Sequence, residues 1–118
     1  MIEGLGVDLV SVERLRSVVE RRGEEFLQRV FTEKEREYCL SRSRKFEHLA
    51  GRFAAKESIV KAVGHKLPWL GIEVLSGEDG NPSAELVDEE IVGRPVVHVS
   101  ISHTASYAIA VAILEAES

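Results

Sequence analysis

Apolar residues recur along the first half of the chain at three- and four-residue steps and alternate with polar ones along the second, so the pattern changes from helical to extended past residue 66. The first ten residues are the exception. Met1 to Val10 alternates loosely and places Gly4 and Gly6 around Leu5 and Val7, which predicts a strand that ends at Asp8 and whose backbone another element approaches closely. From Ser11 a helix is predicted, with Val12, Leu15, Val18 and Val19 on one face and Gly23 as its C-terminal cap. Phe26, Leu27, Val30 and Phe31 make a short amphipathic turn or two. Thr32 followed by Glu35 has capping-box spacing and starts a helix running towards Cys39 and Leu40. A basic joint, Arg42 to Lys45, leads into the longest predicted helix, which ends at Gly64.

The second half predicts strands over Ile72 to Leu75, Ala84 to Val87, Val96 to Ser102 and Tyr107 to Leu114, with a turn at Glu78-Asp79-Gly80-Asn81-Pro82. Val97, Val99 and Ile101 alternate with His98, Ser100 and Ser102, giving one apolar and one polar face. Tyr107, Ile109, Val111 and Ile113 alternate with Ala108, Ala110 and Ala112, small residues that let a helix or a neighbouring subunit pack closely. The expected architecture is α+β, helices laid on an antiparallel sheet, as one domain over residues 1–118.

One residue breaks the helical pattern. At about 100° per residue, Phe46, Leu49, Ala50, Phe53, Val60 and Gly64 share an arc of the longest helix, and Glu57 falls among them. A carboxylate buried without a partner costs several kcal/mol, so a metal ion, an ion pair or a ligand bearing phosphate is expected to compensate it. Lys61, one turn on, offers the simplest answer, an internal pair at i,i+4.

Charge sharpens the question. Residues 1–66 hold 14 of the 15 Lys and Arg against 11 acids, a net +3, whereas the remainder holds only Arg94 against nine acids, a net −8. A basic helical half suits an acidic partner or a phosphorylated ligand. Acids interleaved through it, as in Glu33-Lys34-Glu35-Arg36-Glu37, argue against nucleic acid. Cys39 is the only cysteine, which excludes an internal disulfide and a thiolate zinc site, and it reads as a buried, inert thiol. No apolar run reaches membrane-span length and no signal peptide opens the chain, so no membrane association and a cytoplasmic location are expected.

Asp8, after the glycine-bearing strand, joins Glu57 as a second hard oxygen donor. Two carboxylates completed by water and phosphate oxygens suit magnesium on a diphosphate, whereas zinc would call for nitrogen or sulfur. His103 ends the strand Val-His-Val-Ser-Ile-Ser and can donate to a phosphate or take a proton. Ser102 beside it is not a hydrolase nucleophile, because adjacent strand residues face opposite ways and no elbow glycines surround it. His98 reads as a packing residue on the polar face.

Three blocks, Gly4-Leu-Gly-Val-Asp8 with Arg14 following, Arg52-Phe-Ala-Ala-Lys-Glu57-Ser-Ile-Val-Lys61-Ala and Val99-Ser-Ile-Ser-His103, together resemble the bacterial holo-acyl-carrier-protein synthases, the small phosphopantetheinyl transferases. The likeness is nearly end to end, with Phe31-Thr-Glu-Lys-Glu35 and Asn81-Pro82 adding to it. It implies magnesium-dependent transfer of the phosphopantetheine arm of coenzyme A to a serine of apo acyl carrier protein, releasing adenosine bisphosphate, in fatty acid biosynthesis.

Carried over by position, Asp8 and Glu57 match the metal ligands and Lys61 the lysine that neutralises the diphosphate. Glu57, Lys61 and His103 are the implied catalytic set, with Glu57 or His103 as the base. Arg44, Lys45, Arg52, Lys61, Gly64, Ser102 and His103 match the coenzyme A site. Arg14, Arg21, Phe26 and Phe53 match the surface that receives the acidic carrier, and the family implies a homotrimer with sites shared between subunits. Ser58 stands where alanine is common, and Gly64-His65-Lys66-Leu67-Pro68-Trp69 is shorter than the family loop. Two rival readings make distinct predictions. A non-catalytic binding module would have Glu57-Lys61 as a structural pair and no need of magnesium; a magnesium-dependent diphosphate hydrolase would release phosphate without any carrier.

Overall fold

The computed structural model describes residues 1–87 and 95–116. Its elements run β1 (Ile2–Ser11), α1 (Val12–Arg22), α2 (Glu24–Val30), α3 (Glu33–Leu40), α4 (Lys45–Val63), a 3-10 turn (Trp69–Gly71), β2 (Ile72–Ser76), β3 (Pro82–Leu86), β4 (Val96–His103) and β5 (Tyr107–Glu115). The α+β expectation holds, with one difference. The strands form two antiparallel sheets, a three-stranded one ordered β1-β5-β4 and a separate β2-β3 hairpin. Both pack on α4: Ile72 and Val74 of the hairpin share a buried cluster with Ala54, Ala55 and Ile59 of α4 and with Ala110 and Ala112 of β5.

Helix boundaries follow the local chemistry. Ser11 caps α1 by accepting from the Arg14 N–H. Gly23 ends it at φ 66°, a conformation only glycine takes without strain. Thr32 and Glu35 form the expected reciprocal capping box on α3. Gly64 closes α4 in the left-handed region, its N–H donating to the Val60 carbonyl at 3.0 Å.

β1 does not stop at Asp8. It continues to Ser11 because β5 offers partners that far, with Asp8 opposite Ala110 and Ser11 opposite Tyr107. The close approach predicted at its glycines is made by α4. A Cβ on Gly4 would lie 1.9 Å from the Ala62 carbonyl oxygen, and one on Gly6 would lie 1.9 Å from that of Ser58. From the other strand Ala108, Ala110 and Ala112 are buried beneath the same helix. Small residues on both strands therefore let α4 sink onto the sheet, and the larger residues they alternate with, Leu5, Val7, Leu9, Tyr107 and Ile109, are left exposed on the opposite face.

So deep a seat changes which face of α4 is core. Leu49 and Ala50 of the predicted arc are fully buried, but Phe46, Phe53, Glu57 and Val60 are only half-buried, whereas Ala54, Ala55, Lys56, Ser58 and Ile59, outside it, are as enclosed as Leu49. Ser58, the substitution for alanine, satisfies its buried hydroxyl on the Ala55 carbonyl at 2.7 Å.

The deeply buried charge of α4 is thus Lys56, which the hydrophobic pattern did not single out. Its ammonium pairs with Glu35 at 2.6 Å and donates to the carbonyls of Val30 at 2.7 Å and Trp69 at 2.9 Å. Glu35 also accepts from the backbone N–H groups of Thr32 and Val74, both at 2.8 Å. One ion pair therefore ties α4 to the end of α2, the start of α3, the 3-10 turn and β2. Burial lowers the proton affinity of Lys56 from its ordinary value, and the Glu35 charge pushes back.

Candidate active site

Where β1, α1 and α4 meet, a hollow of about 470 Å³ is lined by Asp8, Arg14, Phe26, Phe53, Glu57 and Lys61, among others. These six come from four elements, β1, α1, α2 and α4. Asp8 reaches it because it shares the helix-facing side of β1 with Gly4 and Gly6, so the glycines that admit α4 also bring the carboxylate towards Glu57. Leu15, Val18 and the two phenylalanines give the hollow an apolar side. Phe53 is held by Trp69, stacked on it with ring centroids 5.3 Å apart. The short loop after Gly64 thus returns to support the wall through Trp69.

The internal Glu57-Lys61 pair does not form. Lys61 instead donates to Asp8 Oδ1 at 2.9 Å and to the Val7 carbonyl at 3.0 Å. Glu57 has no hydrogen-bond or ion-pair partner among the described residues. Burial first, and then the Asp8 charge, raises its carboxyl above the usual range, with Lys61 partly offsetting them. Two carboxylates facing one hollow under mutual repulsion fit a divalent cation. No third His, Cys, Asp or Glu joins them in a cluster among the described residues, so the donor set suits a hard ion that keeps water or phosphate oxygens.

The remaining expected residues lie elsewhere. Arg44 and Lys45 line a second hollow, of about 670 Å³, with Arg16, Ser43, Glu47 and Tyr107. His103 ends β4, across β5 from β1, and its Nδ1 lies 3.0 Å from Glu47 Oε1. Ser102 lines a shallow depression on the outer sheet face with Ser100 and Ile109. Arg52 is 6% exposed and lines neither large hollow. It donates to Ser76 Oγ at 2.6 Å and stacks over Tyr38, with its Nε unpartnered among the described residues. Arg21 is exposed late in α1, and Gly64 serves as the helix cap. His98 pairs with Glu115 at 3.2 Å on the polar face. One chain therefore gathers Asp8, Glu57, Lys61, Arg14, Phe26 and Phe53, and holds His103, Arg44 and Lys45 apart from them.

Trp69, Leu15, Val18 and Glu47 were not anticipated. The first three look like ordinary core residues in a hydrophobic pattern. Glu47 looks like an acid placed favourably in a first helical turn, and nothing local pairs it with a residue 56 positions away.

Residues 4–112 match the family described as the 4'-phosphopantetheinyl transferase superfamily. The chain is similar to the holo-[acyl-carrier-protein] synthase of Halalkalibacterium halodurans, 46% identical with 98% of this chain and 97% of that one covered. It is 40% identical to the synthase of Protochlamydia amoebophila, covering 96% and 98%. Among solved structures, a Bacillus anthracis holo-(acyl-carrier-protein) synthase in complex with CoA (3',5'-ADP) superposes with a TM-score of 0.86 at 36% identity, covering 99% of both chains. The Helicobacter pylori synthase in complex with coenzyme A gives 0.85 at 30% identity, covering 94% of this chain and 99% of that one. The chain therefore belongs to the phosphopantetheinyl transferase superfamily, among its holo-[acyl-carrier-protein] synthases.

Proposed function

We propose that this protein, a single phosphopantetheinyl transferase domain, transfers the phosphopantetheine arm of coenzyme A to a serine of apo acyl carrier protein in fatty acid biosynthesis. The observation that carries the reading is the convergence of Asp8, Glu57 and Lys61 on one hollow whose other wall is Arg14, Phe26 and Phe53. Chemistry and protein recognition then share a cleft, as transfer to a protein serine requires.

Asp8 and Glu57 would hold a magnesium ion, and Lys61 stands beside them to offset charge on the diphosphate. The ion, when bound, supplies electrostatic stabilisation of the negative charge that builds on the leaving phosphate. The serine proton needs an acceptor, which Glu57 could be through a water held at the site, or His103 directly. His103 lies across the sheet from this hollow and is better placed for coenzyme A phosphate, with Arg44 and Lys45. Arg14 and Arg21 give α1 the positive potential that steers an acidic carrier, and the phenylalanines offer apolar contact.

Binding-module and hydrolase readings are weaker. The first rested on a Glu57-Lys61 pair, which the hollow does not contain, and the second leaves the arginine and phenylalanine wall without a task.

The exposed apolar residues of the outer sheet face, Leu5 at 66%, Leu9 at 62% and Tyr107 at 54%, favour a homotrimer that covers them. In such an assembly a neighbour supplies the enclosure that one chain lacks; sedimentation of a stable, fully active monomer would remove this part. A cytoplasmic location agrees with this substrate pair, and among the described residues no helix is long and apolar enough to cross a membrane.

The test is mass spectrometry of apo carrier incubated with the protein, coenzyme A and magnesium, which should show the added arm. Glu57→Gln should fold and abolish the product at any carrier concentration. Arg14→Glu should raise the carrier KM about tenfold, one lost charged contact, and leave that for coenzyme A unchanged. Full activity of Glu57→Gln would defeat the proposal.

A further inference from the structure

His103 closes β4, and its ring is held from α4 by two consecutive residues. Glu47 Oε1 lies 3.0 Å from Nδ1, and the His48 ring stands edge-on with centroids 5.6 Å apart. Tyr38 backs His48 in turn at 5.7 Å. The contact is sheltered, with the Glu47 side chain 13% exposed and that of His103 33%. Arg44, 75% exposed, approaches the other Glu47 oxygen only to 3.9 Å and leaves the histidine as the nearer partner.

This geometry decides which nitrogen carries the proton. An ionised carboxylate only accepts, so Nδ1 is the donor whether the ring is neutral or charged. Nε2 is then the nitrogen free to act, and among the described residues it has no hydrogen-bond partner. His48 stands between Tyr38 and His103 as a packing surface. Burial, helped by the charges of Arg52, His103 and Arg42 and opposed by that of Glu47, lowers its proton affinity.

We propose that Glu47 is a positioning residue for His103, fixing its ring with Nδ1–H committed to the protein and Nε2 left for a phosphate of bound coenzyme A. The ligand named here rests on the transferase reading above; the pairing itself does not. Glu47 also lines the hollow that holds Arg44 and Lys45, so it joins the histidine to that cationic surface.

Long-range proton–nitrogen correlation spectra of the full chain labelled in histidine nitrogen, recorded above pH 8 and assigned with His103→Asn, read the tautomer directly. The unsubstituted protein should show His103 as Nδ1–H. Glu47→Gln, whose amide oxygen still accepts, should keep that tautomer and a near-normal KM for coenzyme A. Glu47→Ala should lose the tautomer and raise that KM about tenfold, the size of one hydrogen bond to a charged group. An Nε2–H ring in the unsubstituted protein overturns the inference. So does an unchanged KM in Glu47→Ala, or an equal loss in both variants. If the unsubstituted protein transfers nothing, the transferase reading fails by itself, and the spectra still decide the pairing.

Discussion

Replacing Lys56 by Met tests the claim that one buried ion pair fastens the site helix to the rest of the molecule. Methionine keeps the length of the side chain and removes its charge. Glu35 would keep its bonds to Thr32 N–H and Val74 N–H but lose its cation, and the carbonyls of Val30 and Trp69 would lose their donor. Removing one partner of a buried pair costs about 3–5 kcal/mol, and the stranded carbonyls place this case towards the upper end. Against a total stability of about 5–15 kcal/mol that is a large share. At roughly 4 °C per kcal/mol for a domain of this size, Tm should fall by about 16–20 °C. Urea unfolding at one fixed protein concentration, followed by fluorescence of the single tryptophan, Trp69, measures the free-energy loss. Adding Glu35→Leu should recover only part of the loss, since two backbone N–H groups would then lack acceptors. A loss under about 1 kcal/mol for Lys56→Met would refute the reasoning, because a side chain 0% exposed with three close partners cannot be that dispensable if buried pairing works as stated.

Gly6→Ala would put a methyl carbon 1.9 Å from the Ser58 carbonyl oxygen, and neither backbone can yield without parting β1 from α4. It should destabilise by about 3 kcal/mol or more and, by shifting Asp8 away from Glu57, cost activity even where the protein stays folded; wild-type melting and turnover would contradict this. Cys39 is raised from 9.0 to about 11, by burial chiefly, with Glu35 adding and Arg52 and Arg42 opposing. The folded state therefore favours the neutral thiol, so its contribution is fully present below pH 9 and is lost as pH rises through 11, by about 2–3 kcal/mol in all. Unfolding free energies between pH 8 and 11, compared with Cys39→Ala, should show that difference, and thiol reagents at pH 8 should label only unfolded chains.

The hydrophobic pattern was enough to locate the helices and most strands, because capping, glycine termination and alternation are local: Ser11, Gly23, the Thr32-Glu35 box and Gly64 each act within a few residues. Gly4 and Gly6 also announced that something packs against them, though not that it is α4. The pattern misjudged depth. It placed Glu57 in the core and passed over Lys56, since an arc drawn on an isolated helix assumes a single buried side, and α4 is enclosed by two sheets and the other helices. Asp8, Glu57 and Lys61 could be named from their sequence blocks, but whether Lys61 answers Glu57 or Asp8 depends on how closely β1 approaches α4. The bond between Glu47 and His103 likewise exists only because β4 ends beside the first turn of that helix. Short-range chemistry wrote the elements into the chain; burial, and the electrostatics that follow from it, arose when small residues on two paired strands allowed one helix to settle onto them.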